Sequence, residues 1–205
     1  PIERLVEDGQ GMSLRQLLKK PIFAAAIILM ICAGASEMSM AQWASAFAES
    51  ALGLTKSVGD LAGACLFATT MGISRMLYGK FGEKIDLIKF MLVSGVICVV
   101  SYLLAGLSAM PIWGLVGCVM CGFSVGIMWP GSISITAPRI PKGGTALFAL
   151  LAMAGDMGGA FGPSVVGYFS QHAGDNLQAG LLTGCIFPLI MLATLIAMKK
   201  MTPEG

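Results

Sequence analysis

The sequence predicts an all-α, polytopic membrane protein with six transmembrane helices. Three observations carry that prediction: an apolar composition, six apolar runs of spanning length, and basic residues gathered on one side of those runs. Of 205 residues, 56% are hydrophobic and only 12% are charged, about half the roughly 25% typical of soluble domains. The net charge of +2 adds little, because orientation in a bilayer follows where charges lie and not their total.

A helix needs about 20 mostly apolar residues to cross the hydrocarbon layer. Such runs fall at 22–47, 58–78, 87–107, 112–137, 145–169 and 177–198. The connections AESALGLTKS, GKFGEKID, SAMP, PRIPKGG and SQHAGDN are rich in turn formers and charge, as tight reversals require. One bundle over residues 21–200 is expected, with no second, water-soluble domain.

With six spans, both termini and the second and fourth connections share one side. Of 13 Lys and Arg residues, only Lys56 lies on the other. The positive-inside rule makes the crowded side cytoplasmic, in the cell membrane. Residues 1–20 then read as a cytoplasmic linker ending in an amphipathic interfacial helix. Ser13 caps that helix, Leu14, Leu17 and Leu18 face lipid, and Arg15, Lys19 and Lys20 face water. Pro21 suits the first turn of the first span, and 201–205 form a cytoplasmic tail. The chain opens on Pro1 with no signal-peptide pattern, so a piece of a longer chain is expected.

Two acids break the apolar pattern near mid-membrane: Glu37 in ILMICAGASEMSMAQWASAF and Asp156 in AMAGDMGGAFGPSVVGYF. No Lys or Arg is expected deep enough to pair with them. An ionised acid facing lipid costs several kcal/mol, so both are expected to border a hydrated, protein-lined cavity. An acid that loads and releases a proton there is the chemistry of a proton-coupled carrier. The alternative is a protonated acid bonded to a neighbouring helix, and for Asp156 the surrounding glycines would bring backbone partners close. Asp60 lies at the outer start of the second span, where the helix dipole favours a carboxylate, and is read as structural.

Helical spacing puts Ala33, Glu37, Met40, Ala41 and Ala44 on one stripe of the first span. Gln42 and Trp43 offer an amide and a stacking surface to a polar ligand; Trp43 serves equally as an interfacial anchor. In the fifth span, Gly155 with Gly159 and Gly158 with Gly162 make small-xxx-small pairs, and Pro163 permits bending. In the fourth span, Pro130 and Gly131 are expected to interrupt the helix near its middle. All six cysteines fall inside spans and read as small buried hydrophobes, the Cys118/Cys121 CxxC included. His172 is placed in an outer connection without a catalytic partner. No metal, cofactor or nucleic-acid pattern is present.

Several segments carry a resemblance. SEMSMAQWASAF resembles the seventh helix of major facilitator superfamily transporters, the fucose-permease-like branch above all. SRMLYGKFGEKIDL resembles the superfamily's cytoplasmic signature after helix eight. GFSVGIMWPGSISITAPRIPKGG and GGAFGPSVVGYFSQ resemble helices ten and eleven. The resemblance implies the carboxy-terminal half of a twelve-helix alternating-access transporter, built as two inverted three-helix repeats and partnered by an amino-terminal six-helix half. By position it places Glu37, Gln42, Trp43, Trp129 and Asp156 around the transport cavity. It assigns Arg75, Gly79, Lys80 and Gly82 to a cytoplasmic gate, with Gly79 where the family commonly has an acid.

The expected function is secondary active, proton-coupled transport of a small polar solute such as a sugar. A proton or cation channel is the alternative. An intramembrane hydrolase stands further off, because it needs a nucleophile with a base on neighbouring helices.

Overall fold

The computed structural model describes residues 12–201. The expected linker over residues 1–11 and the expected tail beyond Met201 lie outside the described residues. Within them the chain is helical throughout: α1 (Leu14–Leu18), α2 (Pro21–Leu52), α3 (Lys56–Phe81), α4 (Leu87–Leu107), α5 (Pro111–Val125), α6 (Met128–Thr136), α7 (Gly144–His172), α8 (Leu177–Gly184) and α9 (Ile186–Met201). Pairs α5–α6 and α8–α9 each form one interrupted span, giving six segments long and apolar enough to cross a membrane.

Local chemistry sets the boundaries. Ser13 and Gln16 form a reciprocal capping box on α1, satisfying two otherwise orphaned amides. Pro21 and Pro111 open α2 and α5, where a missing N–H costs nothing. Gly53, at φ +63°, ends α2 in the left-handed conformation that glycine adopts without a Cβ penalty. Asp86 caps α4 and Asn176 caps α8. The first span continues as helix to Leu52, five residues past its expected apolar end, so most of AESALGLTKS is helical. Similarly, His172 closes α7 and does not sit in a loop. Its Nδ1 lies 2.8 Å from the Tyr168 carbonyl, and its ring packs on Tyr168 at 4.0 Å.

Helix α2 is the axis of the bundle, packing on α7 most extensively and also on α3, α5, α6 and α9. Its small residues permit this: Ala25, Ala26, Ala33, Ala35, Ala44 and Ala48 are all buried. In a bilayer, helices associate by close van der Waals packing, because lipid is as apolar as leucine. The α2–α7 contact shows it. A Cβ on Gly162 would come within 2.7 Å of Ala35 Cα, and one on Gly34 within 2.9 Å of the Gly155 carbonyl carbon.

Helix α1 departs from its expected role as a lipid-facing float. Leu14 and Leu18 are exposed, but Leu17 has no exposure and joins a cluster with Phe23, Met30, Ile140 and Leu147. The Met12 amide donates to the Lys142 carbonyl at 2.9 Å, pinning the segment under the bundle. Five residues make too short a helix to bury a full apolar stripe, so a single leucine anchors it.

Candidate functional site

Glu37 lies on α2 at the point where α7 comes closest, and the glycines of α7 decide what it meets. Gly34, Gly155 and Gly159 bring the two backbones together, setting Asp156 across from Glu37. Gly155 also leaves room for the Trp129 ring, into which a Cβ at that position would run. The result is a cleft of about 260 Å³ bordered by Glu37, Asp156, Trp129, Met38, Gly34, Gly155 and Gly159. Three chemistry-bearing side chains from three separate spans therefore share one space. Glu37 is half-buried and Asp156 exposed, so neither acid is sealed into a dry helix contact.

Pro163 adds a further polar group. Lacking an N–H, it cannot donate to the Gly159 carbonyl one turn earlier, and Gly159 lines the cleft. That carbonyl is thus deprived of its helical donor. The combination offers acceptors to protons, hydroxyls or a cation, together with one aromatic face.

Not every expected residue reaches this cleft. Trp43 packs instead against the main core cluster, with its Nε1 buried and without a hydrogen-bond partner. Gln42 is exposed and does not border the cleft. Six residues of helix rotate Trp43 about 240° from Glu37, so adjacency in sequence is separation in space.

The gate residues divide as well. Gly79, Lys80 and Gly82 sit at the carboxy-terminal end of α3. Gly82 is its cap, donating its N–H to the Tyr78 carbonyl, Lys80 lies 5.4 Å over the Phe81 ring, and Gly79 has open space around it. Arg75 is further inside. Its Nε donates to the Gly126 carbonyl at 3.2 Å.

The interruption of the fourth span is also displaced. Pro130 and Gly131 lie inside α6, and the break falls at Gly126–Ile127. A proline's missing donor is felt four residues earlier, at the carbonyl it fails to bond.

Sequence reasoning missed Tyr102, whose hydroxyl donates to the Ser36 carbonyl at 2.8 Å. A lone tyrosine inside an apolar span was the available signal. It missed the cysteine geometry too. The Cys98 thiol on α4 lies 3.8 Å from that of Cys121, and Cys65 is exposed, unlike the other five cysteines.

Residues 25–204 match the family model described as Major Facilitator Superfamily. The chain is similar to the "Multi-drug resistance efflux pump PmrA" of Streptococcus pneumoniae serotype 4 (strain ATCC BAA-334 / TIGR4). The two are 28% identical over 159 residues, covering 73% of this chain and 39% of that protein. The protein of the same description from Streptococcus pneumoniae (strain ATCC BAA-255 / R6) gives the same figures. The chain spans about two fifths of the length of these curated relatives.

Proposed function

Because the chain belongs to the Major Facilitator Superfamily, its model matching residues 25–204, we propose that it is the carboxy-terminal half of a proton-coupled secondary transporter of a small polar solute. The observation that carries this reading is the convergence of Glu37, Asp156 and Trp129 on one cleft. Acids inside a membrane bundle are tolerated where they border a water-accessible path. Two of them flanking an aromatic face supply a proton site next to a solute site. Glu37, half-buried on α2 beside the cleft, is the coupling acid. Asp156, more exposed, exchanges protons with the path or contacts the solute.

Alternating access then requires a second six-helix half across the exposed faces of α3 and α7. The six spans here form two inverted three-helix repeats, with both ends of the chain in the cytoplasm of a cell membrane. Arg75, Gly79, Lys80 and Gly82 belong to the cytoplasmic gate, Arg75 on its inner side. Among the polar solutes, a sugar of the kind taken by the fucose-permease-like branch stacks on Trp129 and bonds the Gly159 carbonyl.

A second reading has its own observation. The side chains bordering the cleft carry two carboxyls, an indole and no basic group, a set that attracts an organic cation through charge and the aromatic face. The curated relatives carry the name of multidrug efflux pumps. On this reading the same proton site drives extrusion in place of uptake.

The deciding experiment is transport by the protein reconstituted in vesicles under an imposed pH gradient. Uphill accumulation of solute is expected, with Glu37→Gln abolishing accumulation and leaving solute exchange largely intact. Unaltered accumulation in that variant removes Glu37 from the coupling role, and a passive ion current without accumulation makes the protein a channel. A sugar panel run beside a panel of lipophilic cations separates the two solute classes.

A further inference from the structure

The interruption in the fourth span is a loss of hydrogen bonding and not an unwinding. Gly126 (φ −53°, ψ −34°) and Ile127 (φ −90°, ψ −17°) both keep right-handed helical angles. The Gly131 amide already bonds the Ile127 carbonyl at 2.7 Å, so regular pairing resumes one step later. What the segment lacks is the donor that residue 130 would give to the Gly126 carbonyl, because residue 130 is proline. A backbone carbonyl inside a bilayer has no water to bond and needs another donor.

Another helix supplies the donor. Arg75 on α3 gives its Nε–H to that same Gly126 carbonyl at 3.2 Å. The backbones are close enough to permit it: a Cβ on Gly126 would stand 2.7 Å from the Met71 carbonyl and 2.8 Å from Ser74 Cβ. Trp129, three residues beyond Gly126, forms a wall of the cleft shared with Glu37 and Asp156. We infer that Arg75 is a positioning residue that replaces the helix donor removed by Pro130, holding the interrupted fourth span in register and so fixing the Trp129 wall.

The consequence for the cleft rests on the transport reading, whereas the bond to the carbonyl does not.

Hydrogen–deuterium exchange of the folded protein in lipid nanodiscs tests the bond without any transport measurement, so failure here and failure of the transport reading are told apart. Arg75→Gln should speed amide exchange in the peptide covering residues 123–131 by roughly tenfold, the scale of one lost charge-assisted hydrogen bond. Adding Pro130→Ala to that variant restores an intrahelical donor to Gly126 and should return exchange to near the original rate. Arg75→Lys, with a single-point donor on a different stem, should fall between. If Arg75→Gln does not fold, Arg75→Lys with and without Pro130→Ala makes the same comparison at smaller amplitude. Unchanged exchange on altering Arg75, or acceleration that Pro130→Ala fails to reverse, overturns the inference. An arginine serving only general packing would not be relieved by a proline substitution on another helix.

Discussion

The Tyr102 hydroxyl bonds the Ser36 carbonyl at 2.8 Å, tying α4 to α2 at the residue before Glu37. Tyr102 has no exposed surface, and its ring lies against Gly184, where a Cβ would come within 2.7 Å of Cε1. One side chain thus joins the helix that carries the candidate coupling acid to the interruption between α8 and α9. A buried phenol is kept only where its hydroxyl has a partner, and here that partner is backbone, which no side-chain substitution removes.

Tyr102→Phe should therefore lower stability by about 1 kcal/mol, the net worth of one neutral hydrogen bond, while the ring packing survives. Tyr102→Ala should cost roughly 3–5 kcal/mol by opening a cavity in the core. Denaturant titration in mixed micelles, followed by tryptophan fluorescence, measures both. Equal losses in the two variants would mean that the hydroxyl, and not the ring, supplies the stabilisation.

At the entrance to α4, Asp86 accepts a hydrogen bond from the Lys89 amide at 3.1 Å and pairs with the Lys89 ammonium at 3.2 Å. The backbone bond from Lys89, then its side chain, hold the Asp86 carboxyl below its ordinary value of 3.8. The sign follows from linkage: a carboxyl lowered on folding stabilises the fold above its unfolded pKa, and that contribution is lost as pH falls through the folded value. Asp86 should titrate below 3.8 by carbon-detected NMR, and the Lys89 amide should exchange faster once pH drops past that midpoint. Asp86→Ala should show the faster exchange at neutral pH, where the wild-type cap is intact.

Spans and their order were readable because a bilayer imposes a length and an apolar content that few other structures share. Their ends were less so. The helix of the first span ran on to Leu52 through AESAL, since good helix formers continue until a residue such as Gly53 takes a positive φ. At the site, Glu37 and Asp156 were legible as acids out of place in apolar helices, and Trp129 only by its position in the segment resembling helix ten. Trp43 was not separable from them, because the sequence shows proximity along the chain while the cleft depends on rotation around α2. The backbone partner of Arg75 was not legible for a related reason. A basic residue near a helix end looks solvated until the missing donor of Pro130, on a different span, gives it an inward partner.

The glycines of α7 make the sharpest stability prediction, because identical substitutions meet opposite surroundings. Gly158→Ala drives a methyl into the Ile31 backbone, with Cα 2.8 Å from the new Cβ. Backbone cannot rotate aside as a flexible side chain can, so α2 and α7 must separate. A cost of roughly 1–3 kcal/mol is expected from overpacking of this kind, and the Glu37–Asp156 cleft should widen with it. Gly167→Ala, on the same helix, finds nothing within 4 Å. There alanine's higher helix propensity should leave stability unchanged or raise it by about 0.5–1 kcal/mol. Unfolding titrations of the two variants in one detergent decide the matter. If Gly158→Ala proves as harmless as Gly167→Ala, the close α2–α7 approach that sets Glu37 opposite Asp156 is not what holds these helices together.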